Sequence, residues 1–375
     1  MSDQIPIHIQ EEIIKRLSVK PLLQFRSVSK AWKSLIDSSE FIAAHSSHHT
    51  HPQHLLVRYQ DRVNSKKQYV SFVDDETFPK HRFVLTSPFS VQILILPRHV
   101  GSSHGLLCLY DGYLAVLWNP SIRKSIAVPV PNEKYVHHET VVGFGVCPVT
   151  IDPKIIKITQ FSSWYWNERE INHPLKVEVY KMSSGKWKSL SLSSNLPSKS
   201  FRVRGSQVVI DRFIYWCALR YVSINGMLCT RNVIMSFNVS NENMGVVDLP
   251  ECLASAYPYN TWLSIYKLRE SLALHEYSNG VCVVWVMESG VVNNFTRLYT
   301  IRASHGSKMI LGFRESGKPI MEVKDHLIAR GTLVVYDPNL EKFNDLEICG
   351  TGDFLFVNSY METLLLHDRS DCSSN

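Results

Sequence analysis

The sequence predicts an α+β chain in two parts: a small N-terminal helical domain, then an all-β propeller of about six to seven irregular blades. Three observations predict it. Apolar residues recur at helical spacing only within residues 1–45. From Leu55 onward, short apolar segments are broken by Gly, Asp, Asn and Pro, the grammar of strands and turns. One strand–turn–strand unit also recurs with a period of about fifty residues, close to the length of a four-stranded blade.

In the helical part, Ile9, Ile13 and Leu17 recur every four residues with Ile14 beside them, while Glu11, Glu12, Lys15 and Arg16 fall elsewhere on the helix. Pro21 suits the first turn of a second helix, where the N–H it lacks needs no partner. Leu22, Phe25 and Ser29 step along one side of that helix; Val28, Trp32, Leu35 and Ile36 follow. Asp37, Ser38 and Ser39 then punctuate, and Ser39 is the expected cap of a short helix through Phe41. A domain of this size is marginal alone. Part of its apolar stripe therefore needs the β part, or a partner, to cover it.

Residues 46–54 read as a His/Ser-rich linker. Five of the sixteen histidines lie between His45 and His54, but no nearby Cys or acidic residue completes the four ligands of a structural zinc site, so no metal is expected there.

Residues 55–368 carry the repeats, and residues 369–375 read as a disordered tail. In each unit a strand ends on an aromatic residue, a polar turn follows, and a second strand answers. The aromatic residues are Trp118, Tyr180, Phe237, Trp285 and Tyr336, with an earlier copy at Phe72. Six such residues give six blades; the irregular spacing leaves seven open, and a pair of β-sandwiches is the alternative architecture. The segment Phe354–Asp368 is expected to complete a blade begun by His54–Tyr59, which closes the ring and hides its sheet edges. Val281–Met287, the longest apolar run, reads as a buried strand and is far too short to span a membrane.

Composition narrows the function. With 45% hydrophobic and 20% charged residues the chain can bury a large core. Its net charge of +6 is dispersed, with no basic stripe of the kind nucleic acids require. The N-terminus has no basic flank followed by an apolar run. The eight cysteines show no CxxC pair, so free thiols in a reducing compartment, cytoplasm and/or nucleus, are expected.

Residues 5–45 resemble the F-box of plant F-box proteins. That family's pattern opens on Leu-Pro, continues with an Ile-Leu pair and Leu-Pro-Val-Lys-Ser-Leu-Leu, and then sets Phe, Val, Lys, Trp, Leu-Ile and Phe in order. Here the matching residues are Ile5-Pro6, Ile13-Ile14, Leu17, Val19, Lys20, Leu22-Leu23, Phe25, Val28, Lys30, Trp32, Leu35-Ile36 and Phe41. Ser18 stands where the family usually has Pro, and Pro21 where it usually has Ser; both fall in the turn between helices. The resemblance implies docking to the Skp-type adaptor of a cullin–RING ubiquitin ligase. Pro6, Ile13, Ile14, Leu17, Leu22 and Leu23 are the expected adaptor-binding surface. From Lys15 to Lys33 there are six basic residues and no acidic one, an asymmetry that suits an acidic partner.

The later repeats resemble the F-box-associated (kelch-like) domain of the same plant family, found also in S-locus F-box proteins. The matching pieces are Gly105-Leu106-Leu107-Cys108-Leu109, Trp118-Asn119-Pro120, Gly143-Phe144-Gly145 and the Val179-Tyr180 hairpin to Trp187. No Gly-Gly doublet of a typical kelch repeat is present.

Several catalytic signatures are missing: there is no HExxH, P-loop or GxGxxG. Gly143-Phe144-Gly145 reads as a bulge or tight turn, and His137-His138-Glu139 as part of a polar loop. Recognition material is easier to find. Trp164, Tyr165 and Trp166, and Tyr257 and Tyr259, sit in segments rich in aromatic and polar residues, and are the candidate target-binding residues. The resulting expectation is a non-catalytic substrate receptor of an SCF-type ligase, recruiting an unknown target protein, with no cofactor, nucleic acid or membrane. The alternatives are a binding regulator that does not support ubiquitination, and a propeller enzyme with a helical cap.

Overall fold

From His54 to Tyr360 every described strand finds its place in one of six four-stranded sheets. The computed structural model describes residues 5–47, 53–60, 66–95, 97–131, 138–161, 175–191, 201–224, 227–255, 262–278, 280–288, 294–302, 307–324, 330–351 and 355–367. Four helices come first: α1 (Ile7–Ile14), α2 (Val19–Arg26), α3 (Lys30–Ile36) and α4 (Ser39–Ser47).

Pro21 lies in the first turn of α2, as its missing N–H requires. Ser29 caps α3 by accepting from the Trp32 N–H at 3.1 Å. Ser38, and not the expected Ser39, caps α4: its Oγ accepts from the Phe41 N–H at 3.2 Å. That helix runs two residues into the stretch read as linker, and β1 takes His54 at its other end.

The first sheet has the order β24-β1-β2-β3, built from β1 (His54–Gln60), β2 (Lys67–Val73), β3 (Arg82–Leu85) and the last strand, β24 (Phe356–Tyr360). The two ends of the β part thus meet in one sheet, as the sequence led us to expect. The short helix α5 (Phe89–Gln92) leads to the second sheet, β4 (Arg98–Ser103), β5 (Leu106–Tyr110), β6 (Leu114–Asn119) and β7 (Lys124–Pro129). The third holds β8 (His138–Val146), β9 (Pro153–Phe161), β10 (Lys176–Lys181) and β11 (Lys186–Leu190). The fourth holds β12 (Phe201–Ile210), β13 (Phe213–Ile224), β14 (Met227–Asn238) and β15 (Asn243–Asp248), with α6 (Glu251–Ala254) after it. The fifth holds β16 (Trp262–Leu268), β17 (Ser271–Ser278), β18 (Val281–Met287) and β19 (Phe295–Arg302). The sixth holds β20 (Ser307–Phe313), β21 (Pro319–Lys324), β22 (Arg330–Asp337) and β23 (Lys342–Thr351). These are the six blades of a β-propeller behind an N-terminal helical domain.

All six recurring aromatic residues fall on the third strand of their sheet: Phe72, Trp118, Tyr180, Phe237, Trp285 and Tyr336. The residue after three of them folds the turn to the fourth strand. Asn119 accepts from Ser121 N, Asn238 from Ser240 N, and Asp337 from Asn339 N, each at 2.9–3.0 Å. β18 is less buried than its apolar run predicts: Cys282 and Val284 are buried and their neighbours only half so, because alternate side chains leave opposite faces of the sheet.

The chain divides into two compact units: Met1–Leu56 with Tyr69–Pro129 and Ser359–Asn375, and Val57–Gln68 with Val130–Asn358. In the second, cores form between successive sheets, and strand alternation assigns each residue to one interface. On β13, Trp216 packs with Ile156, Ile158 and Val179 of the third sheet, while its neighbour Cys217 packs with Ile265, Leu272 and Leu274 of the fifth. On β17, Leu274 faces the fourth sheet and Ala273 the sixth.

This packing corrects the reading of Gly143-Phe144-Gly145. β8 pairs with β9 through this stretch without a register shift, so there is no bulge or turn. A Cβ on Gly143 would lie 2.3 Å from Cζ2 of Trp216, so glycine is there to admit the neighbouring sheet's indole. Two glutamines then join the same sheets. Gln207 accepts from Phe144 N at 2.8 Å and donates to Phe144 O at 2.7 Å; Gln160 accepts from Val203 N at 2.8 Å and donates to Val203 O at 2.9 Å. Each side-chain amide satisfies both backbone groups of one residue on the adjacent blade.

Gly143→Ala should therefore cost about 1–3 kcal/mol through overpacking. In a Trp216→Leu background the same change should cost much less. Urea denaturation of the four proteins checks this, and equal costs in both backgrounds would refute the contact.

Candidate functional site

The helical domain sorts its apolar residues into two sets. Ile14, Val19, Leu22, Ile36, Phe41 and Ile42 are buried. Ile5, Ile9, Ile13, Phe25 and Val28 are exposed, Val28 to 74%. Ile9 and Ile13 stand one turn apart on α1, so they share a face. Phe25 closes α2 and stacks at 5.0 Å on Trp32 of α3.

This corrects the expected docking residues. Ile14 and Leu22 are 2% and 0% exposed and pack inside the helical domain. Pro6 and Ile13 are exposed, and Leu17 and Leu23 are half-buried. Ile9, Phe25 and Val28 join the candidate surface. The signal for Ile9 was already in the sequence, as the residue four before Ile13. For Val28 there was none, since only the turn between α2 and α3 turns it outward.

The basic asymmetry is also partly internal. Arg26 donates through Nε and Nη2 to the two Asp37 oxygens at 2.5 and 2.9 Å, and Lys15 pairs with Glu12 at 2.9 Å. Arg16, Lys20, Lys30 and Lys33 are exposed and carry what charge the surface offers.

A second set of residues fixes this surface from below. Ser18 opens α2 without a side-chain cap bond, and the Val19 N–H donates instead to Glu362 Oε2 at 3.2 Å. A carboxylate there also faces the positive end of the helix dipole. Ser46 of α4 lies 3.4 Å from Thr363 Oγ1, and His367 Nε2 lies 3.0 Å from Asp37 Oδ1. Buried His45 reaches Leu17 O at 2.9 Å and ties α4 to the turn between α1 and α2.

The same C-terminal segment grips the second sheet. Asn119, fully buried, donates to Thr363 O at 2.9 Å and Leu365 O at 2.7 Å. Ser121 Oγ meets Tyr360 Oη at 2.6 Å, and Lys124 Nζ donates to His367 O at 3.1 Å. Gly105 sits at φ +78° in a two-residue hairpin turn with His104, and a Cβ there would meet Met361 O at 2.3 Å. The segment 360–367 thus joins the N-terminal helices to the second sheet.

The candidate target-binding residues Trp164, Tyr165, Trp166, Tyr257 and Tyr259 lie outside the described residues, as do most of the 46–54 stretch and the tail 369–375. Among the described residues, no three His, Cys, Asp or Glu side chains converge into a metal-holding group. His138 and Glu139 fall on strand β8, not in a loop; His138 packs edge-on against Phe161 at 5.1 Å. No helix of the described residues is long and apolar enough to cross a membrane.

A four-helix N-terminal domain followed by a six-bladed propeller is also what comparison with known proteins finds. The F-box domain model matches residues 2–43, and the F-box associated beta propeller domain model matches residues 54–370. The chain belongs to the F-box proteins that carry an F-box-associated β-propeller. F-box protein At3g07870 of Arabidopsis thaliana is 24% identical over 402 residues, covering 98% of this chain and 93% of the relative. F-box protein CPR1 of the same plant is 24% identical over 392 residues, covering 99% and 91%. Among solved structures, an oligogalacturonate lyase in complex with manganese aligns at a TM-score of 0.40 and 10% identity, over 81% of this chain and 86% of the other; a similarity of that size carries no argument.

Acid should loosen the segment's hold on the helices. Burial pulls the Asp37 carboxyl up, but the Arg26 hydrogen bond and charge, with His367 beside it, outweigh this and hold it below its ordinary value of 3.8. Burial, aided by Arg26, pushes His367 below its ordinary 6.5. Each lowered pKa adds stability above the ordinary value that is lost as pH falls through the folded one. Stability should decline from about pH 6.5 downward through His367, and again below 3.8 through Asp37. The Asp37→Asn, His367→Gln double variant should show a flatter profile in urea titrations across that range; an unchanged slope would refute it.

Proposed function

We propose that this chain is the substrate-recognition subunit of an SCF-type (Skp–cullin–F-box) E3 ubiquitin ligase. The observation that carries the reading is the split within the helical domain: its buried set packs the helices together, while Ile5, Ile9, Ile13, Phe25 and Val28 are left on the outside. A Skp-type adaptor would cover them, with Arg16, Lys20, Lys30 and Lys33 steering an acidic partner into place.

In this reading the chain breaks no bond. It acts by proximity. A target held on the propeller is brought near the ubiquitin-charged enzyme on the same assembly, and linked modules reach effective concentrations of the order of millimolar. The segment 360–367 supports that role, because a loose joint between helices and propeller would dilute the gain. Such a subunit works in the cytoplasm and/or nucleus, and requires no cofactor.

The test is capture of a co-expressed Skp-type adaptor by the full chain. Ile9→Asp with Ile13→Asp removes two exposed anchors, each worth about 1.5–3 kcal/mol if buried in the complex. Capture should fall by at least about a hundredfold with the thermal melt unchanged. Leu22→Ala should also lose capture, but by costing about 2–5 kcal/mol of stability, which the melt reveals. If the wild-type chain captures no adaptor, or the double variant captures it equally well, the proposal falls.

A further inference from the structure

Three serines precede helices in the N-terminal domain, and one of them is not used as the others are. Ser29 and Ser38 cap α3 and α4, each accepting from the N–H three residues on, at 3.1 and 3.2 Å. Ser18 precedes α2 in the extended conformation of a cap, φ −64° and ψ 163°, yet its side chain makes no cap bond. The reason is in the sequence. Three residues on stands Pro21, which has no N–H to give. The helix end finds its anion elsewhere, in Glu362, whose Oε2 accepts from Val19 N–H at 3.2 Å.

The hydroxyl left spare sits in a basic stretch. Lys15 and Arg16 precede Ser18 and Lys20 follows it, with no acidic residue from Lys15 to Lys33. Arg16 and Lys20 are exposed, Ser18 is half-buried, and Lys15 pairs with Glu12 at 2.9 Å. A serine with Arg two places and Lys three places ahead is the charge pattern that basophilic protein kinases select through acidic groups in their clefts. Where the resembled family usually has Pro, this chain carries a phosphorylatable hydroxyl.

We propose that Ser18 is a phosphorylation site, and that its phosphate releases Glu362 from α2. A basophilic kinase transfers the γ-phosphoryl group of ATP to Ser18 Oγ. The new O–P bond forms as the bond to ADP breaks, and the hydroxyl proton passes to the kinase's base. The phosphate brings a charge of about −1.5 to −2, one residue from the N–H that Glu362 occupies. Two anions then contest one helix end. The phosphate is tethered there, carries the larger charge and has Arg16 and Lys20 two residues to either side, so the carboxylate leaves. α2 keeps an anion at its N-terminus. Of the polar ties described above between the segment 360–367 and the helices, Ser46–Thr363 and Asp37–His367 remain.

A kinase takes its substrate extended, so residues 15–18 open first. They give up the bonds from Arg16 N–H to Ile13 O at 3.2 Å, Leu17 N–H to Ile14 O at 3.0 Å and His45 to Leu17 O at 2.9 Å. The folded chain is therefore a slower substrate than a free peptide of the same sequence.

The experiment treats the full chain, beside a peptide of residues 12–24, with ATP and the catalytic subunit of cAMP-dependent protein kinase. Fragment mass spectrometry locates the phosphate. Both should carry it on Ser18, and Arg16→Ala should slow transfer to the chain at least about tenfold. In the phosphorylated chain the amides of residues 361–367 should exchange hydrogen at least about tenfold faster, while those of α2 do not. Ser18→Ala given the same treatment should show no acceleration. Glu362→Gln keeps the acceptor and loses the charge, so in that variant the phosphate should accelerate exchange less than about threefold. Phosphate on the peptide but not on the chain, phosphate on Ser18 of neither, exchange unaltered by the phosphate, or equal acceleration in Glu362→Gln would each overturn the proposal. Adaptor capture is measured separately on the unphosphorylated chain, so failure of the ligase reading leaves this site standing.

Discussion

The side-chain amide of Asn119 is the tightest constraint in the first unit. It is fully buried, donates to two carbonyls of the C-terminal segment and accepts from Ser121 N. A buried amide so occupied is costly to misplace, because each partner left unpaired costs about 1–3 kcal/mol. With Thr363 and Leu365 held there, their neighbours have fixed destinations: Glu362 under α2, Thr363 against Ser46, His367 beside Asp37. The orientation of the helical domain is therefore written in part in a polar network. Polar networks tolerate few alternatives, since a shifted segment would strand several groups at once.

Much of this was legible in the sequence, and for a physical reason. The aromatic residue recurs in all six blades, and a turn-forming Asn or Asp follows it in three, because a blade must bury a third strand and then reverse the chain. That is a local demand, repeated six times, so it leaves a local record. The meeting of the two ends of the β part in one sheet was legible too, since three strands at one end and one at the other make a four-stranded sheet only together. Demands made by distant residues left no such record. Gly143 reads as a turn until Trp216 is placed against it. Ile13 and Ile14 are adjacent and equally apolar, yet one is 52% exposed and the other 2%; periodicity marks a stripe without saying which half of it the chain itself covers. Glu362 gives no sign of capping a helix that begins at Val19.

The chemistry inside the blades is quiet in the same way. Cys108 and Cys217 are buried thiols, Cys217 pushed up to about 12 by burial, so neither offers a thiolate. His275 is buried and held near 4 by the same effect, which keeps it neutral between its sheet neighbours Tyr266 and Tyr277. These groups fill space and stiffen interfaces. Such stiffness suits the proposed receptor role, because contacts at the surface are then made against a body that does not yield.

The completed first sheet bears on how the protein is made. The ribosome delivers the docking helices first and β24 last, so β1–β3 wait through the synthesis of five other sheets for their fourth strand. Until residues 356–367 emerge, α2 lacks its Glu362 cap, Asn119 lacks its carbonyls, and the inner edge of β1 stands open. A chain cut short by a nonsense codon or a stalled ribosome keeps every residue of its docking helices but none of their bracing. The packing of the N-terminal helices is thereby tied to the arrival of residues 356–367.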